Sequence, residues 1–566
     1  MAKKKQNQAA ENEAATSKLR VIALGGLGEV GKNITAFEYG DDIMLVDCGV
    51  SFPDEEMLGV DLVIPDFSYL EKNEDKIRGL VITHGHEDHV GSIPYFLKKI
   101  NVPIYGTPLT LGIIEHKLSE AAIADIAKLV PIKGGDKFKL GVFGVEAISV
   151  THSIADAVAY AITTPVGTVI VTGDFKVDLT PIDGHIDLAR FGELGNKGVL
   201  LLMSDSTNAE RPGSTLPERV VGESLEDIFN QYKDKRIVIT TFSSNVHRVQ
   251  QIINASIHYG RKVALTGRSM LNVIDVATRL GYIHVPDGLL ISIDEINRYN
   301  PEQITIITTG TQGEHMSALY RMAFAEHSKV KLGPSDVVIF SASAIPGNEK
   351  FVGKVINELM SNGIKVLHSA IADVHVSGHA CQEDLKLMLH LTKPKFFVPI
   401  HGEYRQLKSH ADLAAYMGIP QKNILISENG KIIELDKKTM KHNGSVTSGK
   451  VLVDGYGVGD VGNIVLRDRR LLSEEGLIII VMAIDANDGL LMSGPDLVSR
   501  GFVYVRESEE LMDEAKMIVS DAVIELLDSG SYDMAEVKTR AKDVLAKFMY
   551  QKTGRRPMIL PITVNV

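Results

Sequence analysis

The sequence is poor in cysteine: 566 residues contain only Cys48 and Cys381. Two cysteines are too few for a disulfide framework, and we expect both to be small buried residues in a reducing compartment. A chain of this length exceeds a single hydrophobic core and should form about two to four domains, each able to bury a substantial interior. Disulfide bonds are therefore not needed for stability.

Long hydrophobic runs are absent as well. Residues 1–17 are polar and lysine-rich, without the apolar stretch of a signal peptide, and no later run approaches the ~20 apolar residues of a membrane span. We therefore expect a disordered tail over residues 1–17, a cytoplasmic location and no membrane partner.

The sequence also lacks an excess of positive charge. Lysine and arginine total 60 against 72 aspartate and glutamate residues, for a net charge of −12. Nucleic-acid-binding proteins are often basic, so composition argues mildly against an RNA partner. A basic groove can nevertheless lie on an acidic protein, and carboxylates that bind metal ions add to the acidic total.

The pattern of apolar runs divides the chain into several domains. Short β-rich runs separated by glycine, proline and aspartate predict an α/β sandwich, with strands near 21–24, 43–47, 79–83, 145–152, 168–174 and 198–205. From residue 210 strands and helices alternate, which predicts a parallel sheet flanked by helices. Short strands carrying histidines are expected again near 366, 372–380 and 396–404.

The simplest arrangement is a domain inserted into the sandwich. A glycine-rich segment then suggests a linker, and the remainder suggests a small α+β domain with a helix from about Ser508 to Leu527. The predicted parts are the sandwich at 18–209 and 376–450, the insertion at 210–375, the linker at 451–464 and the C-terminal domain at 465–566.

A glycine motif near the start resembles a dinucleotide-binding fingerprint. Gly26, Gly28 and Gly31 follow an apolar strand, and Asp47 ends the next strand. The residues between them have turn and strand character and leave no room for a crossover helix. We therefore interpret these glycines as a tight turn packed near a metal site.

The strongest chemical signal follows the apolar strand at residues 80–82. His84, His86, Asp88 and His89 lie within six residues, and the strand end can point them into one cavity. Imidazole and carboxylate ligands without thiolates suit catalytic zinc or manganese better than a closed structural zinc site. Ordinary surface histidines would rarely cluster in this way after a buried strand.

Three further candidates, His152, Asp174 and His401, also end strands. Each alone would be unremarkable. In this order, H-x-H-x-D-H followed by a distant histidine and an aspartate after a strand resembles the metallo-β-lactamase fold. Residues 204–208 (SDSTN), 377–379 (SGH) and His401 resemble the extra motifs of its β-CASP nuclease branch. With 25–33 (GGLGEVGKN) and the C-terminal extension, the resemblance covers nearly the whole chain and is to the bacterial ribonuclease J family.

The resemblance implies a metallo-β-lactamase αββα sandwich with an inserted β-CASP α/β domain and a small C-terminal α+β domain. It also implies two divalent metal ions, zinc or manganese. One would be held by His84, His86, His152 and Asp174, and the other by Asp88, His89, Asp174 and His401. Such a site hydrolyses RNA phosphodiester bonds, leaving 5′-phosphates and 3′-hydroxyls.

Three residues are candidates for roles in catalysis beyond metal binding. Asp88 could orient the attacking hydroxide, and His379 could assist the leaving oxygen directly or through a water molecule. Asp205 is expected to orient a ligand histidine, although its SDSTN context also suits a turn or a helix cap.

RNA is expected to run between the sandwich and the insertion. Ser243, Ser244 and Asn245 end a strand and open a helix, so they could receive phosphate, although a loop or helix cap is an equally good interpretation. The family's pocket for a terminal 5′-phosphate should involve Ser341, Ser343 and the stretch His375, Val376, Ser377, Gly378 and His379. Asp454 could bind calcium, but a solvated turn is the stronger alternative.

The resulting hypothesis is a ribonuclease of RNA decay and maturation, with 5′-to-3′ exonuclease activity favouring 5′-monophosphate ends and with endonuclease activity. The alternatives are a non-catalytic subunit of an RNA-decay complex and a small-molecule hydrolase of the same fold. The expected partners are single-stranded RNA and further copies of the chain in a homodimer or homotetramer, with a paralogue or other RNA-decay proteins as additional candidates.

Overall fold

The computed structural model describes residues 18–312, 317–344, 348–485, 489–503, 509–530 and 533–566. The predicted disordered tail, residues 1–17, lies outside them. The chain forms two compact units. One contains the described residues up to Ser51 together with Ile64–Val451, and the other contains Phe52–Val63 with Leu452–Val566. No helix of the described residues is long and apolar enough to cross a membrane.

The part of the chain before the insertion supplies most strands of a sandwich, together with one strand, Leu62–Pro65, that belongs to a separate small sheet. Its strands are β1 (Leu19–Gly25), β2 (Ile34–Tyr39), β3 (Asp42–Val46), β4 (Leu62–Pro65), β5 (Ile77–Val81), β6 (Ile104–Gly106), β7 (Leu129–Pro131), β8 (Lys137–Leu140), β9 (Phe143–Ser149), β10 (Val158–Thr164), β11 (Gly167–Val171) and β12 (Val199–Asp205). Its α-helices are α1 (Ser68–Glu71), α2 (Glu87–Val90), α3 (Ile93–Leu97), α4 (Pro108–Glu120) and α5 (Leu188–Lys197).

The inserted segment forms its own parallel sheet. Its strands are β13 (Arg236–Thr240), β14 (Lys262–Thr266), β15 (Leu290–Ile291), β16 (Ile304–Thr308), β17 (Asp336–Phe340) and β18 (Lys365–Leu367), in the order β15-β14-β16-β13-β17-β18. Its helices are α6 (Arg219–Gln231), α7 (Val246–His258), α8 (Arg268–Arg279), α9 (Ala318–Ala323) and α10 (Glu349–Ser361). The strands are apolar on both faces, as expected when helices cover both sides of a parallel sheet.

The chain then returns to the sandwich. It adds β19 (Phe396–Ile400), β20 (Lys431–Leu435) and β21 (Met440–Ser445), with helices α11 (Gln382–Thr392) and α12 (Tyr404–Tyr416). The two sheets of the sandwich have the orders β21-β20-β1-β2-β3-β5-β6-β7 and β19-β12-β11-β10-β9-β8. Side chains of both sheets, including Val21, Phe37, Tyr160 and Phe396, share one buried core.

The insertion packs onto the sandwich through apolar side chains. Leu109 and Ile113 of α4, with Ile154 and Ala155, belong to the same buried cluster as the insertion's own core. Sandwich and insertion therefore form one continuous interior within the first unit.

One strand prediction was wrong. Residues 372–380 form no strand, because carbonyls of this segment accept hydrogen bonds from side chains instead of a neighbouring strand: Val374 from Arg248 and Ser341, and Gly378 from His152.

The main part of the second unit is a three-stranded sheet packed against a pair of helices, with two short paired strands and one further helix before it. Its elements are β22 (Lys450–Asp454), β23 (Gly457–Val458), β24 (Leu477–Asp485), β25 (Leu490–Arg500) and β26 (Met558–Asn565), with α13 (Asn463–Glu475), α14 (Glu509–Asp528) and α15 (Met534–Thr553). Side chains of α14 and α15 bury one face of the sheet β25-β24-β26. The predicted linker at 451–464 instead contains paired strands, β22 and β23, because Leu452 and Val453 are apolar enough to be buried.

Candidate metal centre

Four of the predicted ligands follow the buried strand β5. The strand leads into His84, which is completely buried, and into His86 before the short helix α2 carries Asp88 and His89. His86 and Asp88 are half-buried, so this end of the cluster opens to solvent. One strand end therefore supplies ligands to both predicted metal positions.

The other three ligands come from ends of strands in the second sheet. His152 follows β9, Asp174 follows β11 and His401 follows β19. Strands β11, β12 and β19 run parallel, so their carboxyl ends meet at one edge. His401 has φ of +56°, a left-handed conformation that turns the chain sharply after β19.

The structure brings all seven predicted ligands into two groups that share Asp174. The first is His84, His86, His152 and Asp174, and the second is Asp88, His89, Asp174 and His401; ligand atoms in each group lie within 4.8 Å of one another. Asp174 Oδ2 lies 3.7 Å from His84 Nε2 and from His152 Nε2. It also lies 3.4 Å from His89 Nε2 and 3.6 Å from His401 Nε2.

The donor set fits divalent metal ions. Asp174 Oδ1 is buried and has no hydrogen-bond partner among the described residues, which is costly for a carboxylate unless a cation compensates it. Burial lowers the pKa of His86 to about 4 and that of His84 and His152 well below the ordinary value. These imidazoles are therefore neutral at physiological pH, the form that binds metal.

The second group contains two carboxylates, Asp88 and Asp174, against one in the first group. Burial would lower the pKa of His89 and His401, but Asp174 and neighbouring carboxylates outweigh burial and raise both. This excess of buried negative charge is what a divalent cation would neutralise.

The ligand histidines are oriented through their second ring nitrogen. His89 Nδ1 lies 2.8 Å from Asp47 Oδ2, and His84 Nδ1 lies 3.1 Å from the Thr83 hydroxyl. His152 Nδ1 donates to the Gly378 carbonyl at 2.7 Å, and His401 Nδ1 lies 2.8 Å from Thr207 Oγ1. Such contacts fix the ring and its tautomer.

Asp47 is a site residue that the sequence reasoning missed. In the sequence Asp47 is part of a chance match to a nucleotide-binding fingerprint, and nothing in its local pattern marks it as a partner of His89. The glycines of that match do form a turn beside the metal ligands, since Gly26 O accepts a hydrogen bond from His401 N at 3.1 Å.

Asp205 and His379 form a pair beside these groups. His379 Nδ1 lies 2.8 Å from Asp205 Oδ2, while Asp205 Oδ1 accepts hydrogen bonds from the Thr207 hydroxyl and amide. Asp205 therefore contacts His379 and stabilises a turn, while its Oδ1 also lies 3.5 Å from Nδ1 of the predicted ligand His401; that it orients a ligand histidine stays a prediction. Burial alone would lower the pKa of His379, but Asp205 and Asp174 outweigh it and raise that pKa.

The predicted RNA-binding residues differ in how available they are. Asn245 caps α7 by accepting from Arg248 N, and Val376 is buried in the insertion's core. The Ser341 hydroxyl is buried, donates to Val374 O and accepts from Arg248, so it is not free to bind phosphate. For Ser341, Asn245 and Val376 we therefore correct the prediction to a structural role.

The other candidates keep polar atoms that are not fully used by hydrogen bonds within the protein. Ser243, Ser244 and Ser343 are half-buried. Ser377 Oγ accepts hydrogen bonds from Asn208 and from His379 N, which leaves its own proton for another acceptor. His375 Nδ1 is buried without a hydrogen-bond partner among the described residues, and burial lowers the His375 pKa to about 3.

Arg248 is a second residue whose role was missed. Its side chain is completely buried, and it donates to Glu218 Oε1 at 2.8 Å and to the Val374 carbonyl at 2.9 Å. It thereby ties helix α7 to the segment that leads to Ser377 and His379.

The calcium prediction at Asp454 is not supported by the geometry. Its carboxylate forms an ion pair with Arg469, whose guanidinium also donates to the Leu58 carbonyl. A cation already occupies the position that calcium would need.

Four family models match successive parts of the chain. Residues 27–211 match the metallo-β-lactamase superfamily, and 234–359 match the β-CASP domain of ribonuclease J. Residues 363–426 match the Zn-dependent metallo-hydrolase RNA specificity domain, and 464–566 match the ribonuclease J C-terminal domain.

Whole-chain relatives agree with these matches. Ribonuclease J 1 of Streptococcus pyogenes serotype M3 is 44% identical over 545 residues, 96% of this chain and 97% of its own. Ribonuclease J2 of Bacillus subtilis is 41% identical over 553 residues, 97% of this chain and 99% of its own. A solved structure of a protein of unknown function from Enterococcus faecalis V583 shares the fold, with a TM-score of 0.55, 17% identity and coverage of 74% of this chain and 100% of that one.

Proposed function

The chain belongs to the ribonuclease J family of metal-dependent ribonucleases, and we propose that it uses two divalent metal ions to degrade RNA from 5′-monophosphate ends in the 5′-to-3′ direction, with additional endonuclease activity. The observation that carries this proposal is the pair of ligand groups sharing Asp174, with His379 and Asp205 beside them. The proposed cellular role is RNA decay and maturation in the cytoplasm.

Zinc or manganese ions in these groups would make water a nucleophile near neutral pH and stabilise charge on the phosphoryl oxygens. Seven side chains from four strand ends would hold these ions, and the buried Asp174 carboxylate is common to both groups.

His379 is the proposed proton donor to the leaving O3′. Asp205 occupies its Nδ1, which leaves Nε2 as the atom that donates, and the raised pKa of His379 favours the protonated form that a general acid needs. Asp88 is half-buried at the open end of the second group, and its proposed role is to orient the attacking water. The products then carry 5′-phosphates and 3′-hydroxyls.

The proposed site for the terminal phosphate uses the polar groups that remain available, Ser343, His375 and Ser377. The Ser377 hydroxyl accepts a hydrogen bond from His379 N at 3.2 Å, so a phosphate bound to Ser377 would lie near the proposed proton donor. A triphosphate would bring unmatched charge into a pocket with few donors, which is costly. We therefore expect selection for a monophosphate.

The test compares matched single-stranded RNAs that carry a 5′-monophosphate or a 5′-triphosphate. Wild-type protein with Mn²⁺ or Zn²⁺ should release mononucleotides faster from the monophosphate RNA, and a chelator should stop the reaction. Ser377→Ala should slow this release, whereas Ser361→Ala, an exposed serine of the insertion, should not. Equal rates on the two RNAs would refute 5′-end selection.

The same assay separates the alternatives. No metal-dependent cleavage of either RNA would favour a non-catalytic subunit, and hydrolysis of small esters without RNA cleavage would favour a small-molecule hydrolase. The four domain matches and the metal groups favour a ribonuclease over both.

For assembly we propose a homodimer or homotetramer formed through the C-terminal sheet. Its outer face aligns Leu560, Ile562 and Val564 with Ile479, Val481 and Ala483 of β24. The first three side chains are 49%, 40% and 49% exposed. An apolar patch of this kind suits a protein interface, and a paralogue or another RNA-decay protein could bind there too. Light scattering of Ile562→Lys should show a smaller assembly than wild type.

A further inference from the structure

The glycine-rich turn at residues 25–33 contacts two of the three chain segments that supply the second ligand group. Gly26 O accepts a hydrogen bond from His401 N, and Leu27 forms an isolated β-bridge with Gly402. At the other end of the turn, Asn33 N donates to Asp88 O at 3.1 Å. The turn therefore joins the Asp88–His89 segment to the His401 segment.

The side chain at the end of this turn reaches the ligand atoms themselves. Asn33 Nδ2 lies 3.0 Å from Asp88 O, 3.4 Å from Asp88 Oδ2 and 3.1 Å from His89 Nε2. His89 Nε2 is the ring nitrogen that faces Asp174, because Nδ1 is occupied by Asp47. The carboxamide thus lies beside two ligands of the second group.

The glycines make room for this side chain. A Cβ atom at Gly26, whose φ is +86°, would lie 2.3 Å from Asn33 Oδ1, and one at Gly25 would lie 1.9 Å from Lys32 O. Both distances are far below van der Waals contact, so a larger residue would displace the turn. The far side of the turn is fixed by Glu29, which accepts from Asn429 Nδ2 at 2.8 Å and pairs with Lys32 at 3.1 Å.

We propose that Asn33 is a positioning residue for the second metal ion, and that the glycine motif serves to seat its carboxamide against Asp88 and His89. The first group is oriented from elsewhere, by Thr83 at His84 and by Gly378 at His152. Loss of the Asn33 carboxamide should therefore weaken one metal ion selectively. This inference rests on the two-metal site proposed above.

The experiment measures metal content and not only activity. Wild type, Asn33→Ala and Gly26→Ala are loaded with Zn²⁺ and equilibrated against increasing concentrations of a chelator, and bound metal per chain is determined by mass spectrometry. Gly26→Ala retains the carboxamide but pushes it away, so it tests the same contact by a different route. Asn101→Ala, whose side-chain amide donates to the Ile126 carbonyl at 3.0 Å, is the matched control.

Wild type should lose its two equivalents of metal in two steps. In both turn variants one equivalent should dissociate at roughly 10- to 100-fold lower chelator concentration than in wild type, the usual effect of removing a partner of a metal ligand, while the other is unchanged. Unchanged affinities, or equal weakening of both equivalents as general loosening would produce, would overturn the role of Asn33. A wild-type protein that binds fewer than two equivalents would instead contradict the proposed two-metal site.

Discussion

Replacing Arg248 by methionine should destabilise the insertion strongly, because Arg248 is a completely buried cation with several acceptors. It donates to Glu218 Oε1, to the Ser341 carbonyl at 3.1 Å and to the Val374 carbonyl. Breaking a buried ion pair by removing one partner costs about 3–5 kcal/mol, because the remaining charge is left uncompensated. Lys176 Nζ lies 3.7 Å from Glu218 Oε2 and retains part of the attraction. We therefore expect a loss near the lower end of that range.

The chain contains no tryptophan, so the fluorescence of a single introduced tryptophan would report on one domain alone. A single tryptophan introduced at Tyr259, beside the Phe229 ring, would report unfolding of the insertion by fluorescence in a denaturant series. In this background Arg248→Met is compared with Arg298→Met, which removes an exposed arginine paired with Glu295 on the same domain. The exposed pair should contribute no more than about 1 kcal/mol.

A double variant tests the physical cause. The loss of stability in Arg248→Met is expected to come from the Glu218 carboxylate, which stays buried without its arginine partner. The double variant Arg248→Met with Glu218→Gln should then be more stable than Arg248→Met alone, by about 0.5–3 kcal/mol. Additive losses would refute this explanation and would assign the cost to packing. A loss equal to that of Arg298→Met would refute the importance of burial itself.

Two further predictions concern the metal centre and an ionisable contact of the insertion. His86→Ala or Asp88→Ala should reduce RNA cleavage by more than about 10²-fold with an unchanged circular dichroism spectrum, because only metal chemistry is removed; full activity would contradict the assignment of the ligands. The Asp156 carboxylate accepts a hydrogen bond from the Tyr282 hydroxyl. Burial and the nearby Asp183 raise the pKa of Asp156 to about 6. A raised carboxyl pKa means that the folded state binds the proton more tightly, so this group's destabilising effect grows as pH rises from about 4 to about 6. Asp156→Asn should therefore stabilise the protein by on the order of 1 kcal/mol at pH 7 and leave stability unchanged below pH 4, as thermal unfolding at both pH values would show; a gain equal at both would refute the titration.

The cluster of candidate metal ligands could be predicted from the sequence because most of its signal is local. His84, His86, Asp88 and His89 stand within six residues after a buried strand, and a strand end constrains where such side chains point. His152, Asp174 and His401 were found because each ends an apolar strand in the order that the family motif requires. The alternation of strands and helices likewise predicted the insertion and its parallel sheet.

The partners of the ligands could not be predicted in this way. Asp47 contacts His89 across 42 positions of sequence, and Asn33 contacts Asp88 across 55. These pairs depend on the pairing of β3 with β5 and on the path of the glycine turn, which no local pattern encodes. For Ser341 the residue type suited phosphate binding, but burial and the proximity of Arg248 gave its hydroxyl a structural role.

The strand wrongly predicted at 372–380 indicates how the insertion and the metal centre are connected. Arg248 of the insertion donates to the Val374 carbonyl, and four residues later the Gly378 carbonyl accepts from His152, a proposed metal ligand. His379, next in the chain, contacts Asp205. A regular strand would have used these carbonyls for pairing with a neighbour. Their use by side chains lets one short segment join the insertion to a proposed metal ligand and to the proposed proton donor, so Arg248→Met should also lower the rate of RNA cleavage.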